Sequence, residues 1–180
     1  MKKNARPVVF TIGHSTRTLQ EFIELLKVHG VTSLIDVRTV PRSRHNPQFN
    51  RETLPHGLEA VGIGYTHTAG LGGFRRSSAD SPNLGWKNVS FRGFADYMQT
   101  DEFAENLASL IERSASQCEA LMCAEAVPWR CHRSLIADAL VARGIRVEDI
   151  INATRTRVHE LTSFARVDGT AITYPLQESL

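Results

Sequence analysis

The stretch VVFTIGHSTRTLQEFIELLKVHGVTSLIDVR, residues 8–38, decides the architecture. Val8 to Ile12 is a short apolar run rich in β-branched residues, and Gly13-His14-Ser15 breaks it, as a buried strand entering a turn does. Thr18 and Glu21 stand at capping-box spacing. Leu19, Phe22, Ile23, Leu25, Leu26 and Val28 then keep one apolar stripe, and Gly30 supplies the stop of a helix. Thr32 to Val37 is a second strand-like run. Two strands joined through a helix of this length form a parallel, right-handed crossover, so an α/β sheet is expected.

Working outward, Glu52 to Val61 has room for a short helix, interrupted by Pro55 and Gly57, and Gly64 to His67 fits a short strand. Gly93 to Ser114 follows helical spacing through Phe94, Tyr97, Met98, Phe103, Leu107, Leu110 and Ile111, with a break near Thr100. Ala120 to Cys123 is the next strand, Cys131 to Ala142 a helix ended by Gly144, and Arg146 to Ile151 a final strand. Asp168-Gly169 between short β-like runs suggests a hairpin. Alternating strands and helices predict a mostly parallel sheet in a single α/β domain spanning residues 1–180.

Composition narrows the class. With 180 residues, 42% hydrophobic, and a net charge of +2, the chain reads as a globular domain rather than a disordered one. No apolar run approaches the ~18 residues of a membrane span, and Met1 to Arg6 is basic and polar, without a signal-type apolar stretch. Cys118, Cys123 and Cys131 are an odd number, which favours reduced thiols. A cytoplasmic protein with no membrane partner is expected; composition says nothing of its oligomeric state. Positive charge gathers in two irregular segments: residues 38–51 hold four arginines, Arg42 among them, and no acid, while residues 70–92 carry a net +3. Both are rich in Pro, Gly, Ser and Asn, as long functional loops are.

Ligands on parallel sheets bind beyond the carboxyl ends of the strands. The unusual residues of this chain fall there: Gly13-His14-Ser15-Thr16 after the first strand, Asp36-Val37-Arg38 after the second, His67 and then Leu71-Gly72-Gly73 after the third, Cys123-Ala124-Glu125 after the fourth. Cys131-His132-Arg133 follows closely. These motifs, together with Thr11-Ile12, Pro41 and Ser43, resemble in order and spacing the domain-of-unknown-function family 488, from about Val8 to Ile151. The resemblance implies a Rossmann-like, three-layer α/β domain with one polar site, and no established activity.

Several chemistries compete for these residues. Cys123 and Glu125 are two positions apart, so in extended geometry their side chains point the same way. Cys123 is a candidate nucleophile if Arg38, Arg130, Arg133 or a helix N-terminus stabilises its thiolate, and His14 is a candidate general base. Asp36 would orient the Arg38 guanidinium or accept a proton. A phosphatase-type loop requires arginine six residues after its cysteine, where this chain has Trp129. Metal is a rival, because Cys123, Glu125, Cys131, His132 and His14 are all zinc-compatible; it is not favoured, because Cys131 and His132 are adjacent, would diverge on a helix, and form no Cys-x-x-Cys pair. The zinc deaminase pattern fails, since its Pro-Cys-x-x-Cys is absent. No dinucleotide glycine fingerprint and no Walker loop occurs.

Ser15, Arg38, Arg42, Gly72, Gly73, Cys131, His132 and Arg133 remain as candidate substrate-binding residues. Ser15, Arg38 and Arg133, the last opening a helix, are expected to converge on one oxyanion. The leading expectation is a hydrolase or group transferase acting on a small, phosphorylated or nucleotide-like anion. A nucleic-acid binding module is the second reading, since Phe49, Phe74, Trp86 and Phe91 interleave with the loop arginines of segments 38–51 and 70–92. A non-catalytic small-ligand sensor is the third.

Overall fold

The computed structural model describes residues 7–177; the basic stretch Met1 to Arg6 lies outside them. The chain forms β1 (Val8–Gly13), α1 (Leu19–Val28), β2 (Ser33–Asp36), α2 (Leu54–Glu59), β3 (Gly64–His67), α3 (Val89–Tyr97), α4 (Asp101–Ser114), β4 (Glu119–Cys123), α5 (Arg133–Val141), β5 (Arg146–Asn152), β6 (Arg155–Val158), β7 (Arg166–Asp168) and β8 (Ala171–Thr173). Six strands make one sheet in the order β3-β2-β4-β1-β5-β6, parallel except for β6 at the edge. The architecture is a Rossmann-like α/β fold.

Local chemistry sets the element ends. The Thr18 hydroxyl accepts from Glu21 N–H at 3.2 Å and the Glu21 carboxylate accepts from Thr18 N–H at 2.8 Å, a complete capping box. The expected break near Thr100 separates α3 from α4, and Thr100 caps α4 by accepting from Phe103 N–H. Asp168-Gly169 turns a two-stranded hairpin, with Gly169 at φ 61°. The edge strand β6 has no counterpart in the sequence reading: its four residues, Arg-Thr-Arg-Val, are too few and too polar to show an apolar period. Helix α5 starts two residues later than expected, because Cys131 is extended (φ −130°, ψ 143°) after a short turn at Pro128–Arg130.

Two apolar clusters cover the two faces of the sheet. Phe22 and Leu26 of α1 and Leu54 and Leu58 of α2 pack with Ile12, Leu34, Ala120 and Met122 on one side. On the other, Phe94, Phe103, Leu107, Leu110 and residues of α5 pack with Val9, Ile35, Leu121 and Val147. Successive residues of β4, Ala120, Leu121 and Met122, thus feed alternate clusters, the signature of a strand buried on both faces. Gly13 pairs with Cys123, and Asp36 with Met122, so β1, β4 and β2 end side by side. Among the described residues, no helix is long and apolar enough to cross a membrane.

Candidate active-site cleft

The carboxyl ends of β1, β4 and β2 open into a cleft of about 670 Å³. Its lining includes His14, Ser15, Arg38, Arg42, Gly73, Cys123, Glu125, Arg130, Cys131 and His132. Gly13 makes the floor possible: a Cβ there would run into the Glu125 carbonyl and Ala126 Cα, so only glycine lets β1 pass beneath the loop that follows β4. That loop continues the strand pairing, with His14 N–H donating to Cys123 O and Ser15 N–H to Ala124 O, both at 2.9 Å. Ser15 takes the left-handed conformation, φ 51°, to do so.

Three donor atoms meet at one point of the cleft. The Sγ atoms of Cys123 and Cys131 and a ring nitrogen of His132 all lie within 4.8 Å of one another, and Cys131 Sγ is 3.7 Å from His132 Nδ1. The expected divergence of Cys131 and His132 does not occur, because neither lies inside the helix: Cys131 is extended and His132 is the N-cap of α5. His132 Nε2 is 3.0 Å from both Val37 O and Leu71 O. Two carbonyl partners require that Nε2 carry the proton and donate, which leaves the Nδ1 lone pair directed at the sulfurs in the neutral ring. Gly73 packs on this ring, where a Cβ would stand 2.6 Å from Nδ1.

The two thiols share their protons unequally. The Cys131 thiol hydrogen-bonds to the Cys123 sulfur and Arg133 lies close by, so Cys123 titrates far below an ordinary thiol despite its burial. The same contact with Cys123, and burial, push Cys131 up. The pair therefore loses a first proton readily and holds the second. Burial raises Cys118, which lies at the opposite end of β4.

Arg38 and Asp36 form a scaffold beside the cluster. Both Asp36 oxygens accept from Arg38, Nη2 at 2.6 Å and Nε at 2.9 Å, and Tyr65 O–H donates to the same carboxylate at 2.7 Å. Arg38 Nη2 also donates to Phe49 O, and Phe49 stacks on His14 with ring centroids 4.3 Å apart. The arginine thus ties the basic loop 38–51 onto the sheet, and Asp36 serves to orient it. His14 donates through Nδ1 to Ser15 O at 2.8 Å and accepts Arg38 Nη1 at Nε2, at 3.4 Å. Burial, with Arg38 alongside, lowers its pKa. His14, the expected general base, lines the cleft with Arg38 against one ring nitrogen and Phe49 against its face.

The expected convergence of Ser15, Arg38 and Arg133 on an oxyanion is corrected as well. Arg133 is 1% exposed and does not line the cleft. It donates to Glu125 O at 2.6 Å, Ala126 O at 3.2 Å and Thr11 Oγ1 at 3.3 Å, holding the loop after β4 from below. Gly72 also stands aside from the cleft, packed where a Cβ would meet Thr39 and the Ala69 carbonyl. The cleft cations that carry no ion pair among the described residues are Arg42 and Arg130, both exposed. Sequence reasoning missed Asn46, Asn88 and Ser90 on the walls, since tertiary packing alone carries them there.

This is an α/β domain with a cleft at the carboxyl ends of its central strands. Residues 18–140 match the family described as "Domain of unknown function DUF488", and the chain belongs to that family. No curated protein and no solved structure gave a significant match.

Proposed function

We propose that the chain is an enzyme, a hydrolase or group transferase, whose cleft takes a small phosphorylated or nucleotide-like anion. The observation that carries the reading is the meeting of Cys123, Cys131 and His132 in the cleft that Arg42 and Arg130 also line. A cluster of perturbed, chemically capable groups in a concave, water-accessible site is what catalysis requires and structure does not. Arg42 and Arg130 supply the charge that an anion needs, and Ser43, Asn46, Asn88 and Ser90 supply neutral hydrogen-bonding groups. Glu125 stands on the same rim with an exposed carboxylate, positioned to accept a proton from a bound group.

The nucleic-acid reading draws less support. Phe49 is fully buried, and Trp86 stacks on Phe91 inside a cluster with Phe164 and Tyr174. Of the four aromatics Phe74, 79% exposed, and the half-buried Phe91 line the cleft, and two faces in one cleft suit a nucleotide better than a strand.

A panel of phosphomonoesters, phosphodiesters and nucleotides tests the reading. At low millimolar concentration, against chloride matched for ionic strength, at least one member is expected to raise the melting temperature and be converted. Arg42→Ala and Arg130→Ala each weaken binding by about tenfold or more, and Cys123→Ser abolishes conversion while leaving the melting temperature of the unliganded protein near that of the native chain. Stabilisation without conversion overturns catalysis in favour of a ligand sensor. Oligonucleotide affinity that falls steeply with salt, with no response to small anions, overturns the substrate class.

A further inference from the structure

We propose that Cys123, Cys131 and His132 hold a divalent metal ion of the zinc type, with its fourth coordination position open to the cleft. The inference rests on reading the cleft as an active site, to which it adds an electrophile. Four observations carry it. Tetrahedral zinc, with sulfur at about 2.3 Å and nitrogen at about 2.0–2.1 Å, sets its ligand atoms about 3.6–3.8 Å apart. Cys131 Sγ and His132 Nδ1 are 3.7 Å apart, and Cys123 Sγ completes a triangle with no side beyond 4.8 Å.

The imidazole is set in the required tautomer. Histidines that bind metals characteristically donate the other ring N–H to a carbonyl or carboxylate, and His132 Nε2 donates to two carbonyls, Val37 and Leu71. Those carbonyls come from the end of β2 and from the loop after β3, so two further segments of the chain aim this ring at the sulfurs. Gly73 completes the aim, because any side chain there would push the ring aside.

Charge and softness select the ion. Two thiolates cancel a dication, so the loaded centre is neutral in a largely buried position, whereas two thiolates alone would repel. Two sulfurs and one imidazole nitrogen suit zinc and other borderline ions and discriminate against magnesium and calcium. Three protein ligands facing a cavity, rather than four in a closed shell, are the pattern of a catalytic centre. The remaining position opens on the cleft that Glu125, Arg42 and Arg130 line, where an anionic oxygen or a water would sit.

The test is cobalt titration of chelator-treated, tag-free protein. The expected result is stoichiometric binding with a Kd below about 1 μM. It would show the intense visible bands of a tetrahedral site and a thiolate-to-cobalt charge-transfer band, both erased by zinc. Cys123→Ser, Cys131→Ser and His132→Gln each weaken cobalt binding by about a hundredfold or more, and Cys118→Ser leaves it unchanged. Gly73→Ala keeps all three ligands yet weakens binding by about ten- to a hundredfold, through the displaced ring. The native titration decides even if a variant fails to fold: absence of the bands, or bands that survive unaltered in Cys131→Ser, overturns the centre. Conversion of a panel member in the presence of chelator, without the bands, overturns the metal and keeps the proposed activity; tight tetrahedral binding with no conversion keeps the metal and overturns the activity.

Discussion

Two buried polar clusters flank α5, and they are built to opposite rules. At its start, Cys123, Cys131 and His132 turn two sulfurs and a ring nitrogen toward one another and toward a cavity. On its body, Asp138 is fully buried and accepts four hydrogen bonds: from His159 Nε2 at 2.8 Å, Thr162 N–H at 3.1 Å, Thr162 O–H at 2.7 Å and Tyr174 O–H at 2.8 Å. Asp138 binds the C-terminal segment to the helix. Its donors come from residues 159, 162 and 174, none of which belongs to a long element. Every acceptor site that faces protein is used, so nothing is left over for a ligand. The cleft cluster keeps its donors' lone pairs facing one another and an opening. Saturation separates an architectural carboxylate from a group held ready for chemistry, and burial alone does not distinguish the two.

The largest effect that would break this contrast is on stability. Asp138→Ala strands three side-chain donors and one backbone N–H, and is expected to cost about 3–5 kcal/mol in urea unfolding. Cys131→Ser, at the cluster with spare capacity, should cost no more than about 1 kcal/mol in metal-stripped protein. Equal losses at the two sites would mean that the cysteine cluster is architectural too.

Thiol chemistry sharpens the contrast between the two ends of β4. In chelator-treated protein at neutral pH, iodoacetamide should modify the Cys123–Cys131 pair at least about tenfold faster than Cys118, because the pair's first proton leaves readily and burial raises Cys118. Peptide mapping of timed samples reads the order, and equal labelling of all three would remove the activated pair.

The smallest effect concerns a third carboxylate, Asp96, which organises the loop before α3. It accepts from Ser77 O–H, the Ser78 backbone N–H, Ser81 O–H and the Asn83 side-chain amide Nδ2. Burial alone would raise its pKa, but these donors together outweigh it and hold the carboxyl below its ordinary 3.8. A depressed folded value contributes stability that is present above the unfolded value and lost as pH falls through the folded one. The native chain should therefore lose stability more steeply than Asp96→Asn below about pH 4, with pepsin cutting within residues 77–83 as the local readout. Parallel pH profiles for the two proteins would sink this account.

The alternation of strand and helix was legible in the sequence because each element states its own period and ends. Thr18 with Glu21, Thr100 and Asp168-Gly169 mark boundaries through bonds that span three or four residues, and such bonds need no tertiary partner. The rim was legible too, since a parallel sheet gathers strand ends whatever the loops do. Cys123, Glu125, His14, Arg38, Arg42, Gly73, Cys131 and His132 all reach one cleft.

What each of those residues does there was decided by the tertiary structure. A buried guanidinium must find acceptors, and Arg38 and Arg133 found them in Asp36 and the carbonyls of Phe49, Glu125 and Ala126. The sequence placed Cys131 and His132 on a helix, where they would diverge. A two-residue delay in the start of α5 leaves Cys131 extended and His132 at the N-cap, and carbonyls 61 and 95 residues distant in the chain turn His132 Nδ1 onto the sulfurs. Local propensity fixes where an element lies to within a residue or two. The direction of a side chain at its edge depends on which distant backbone groups need a partner.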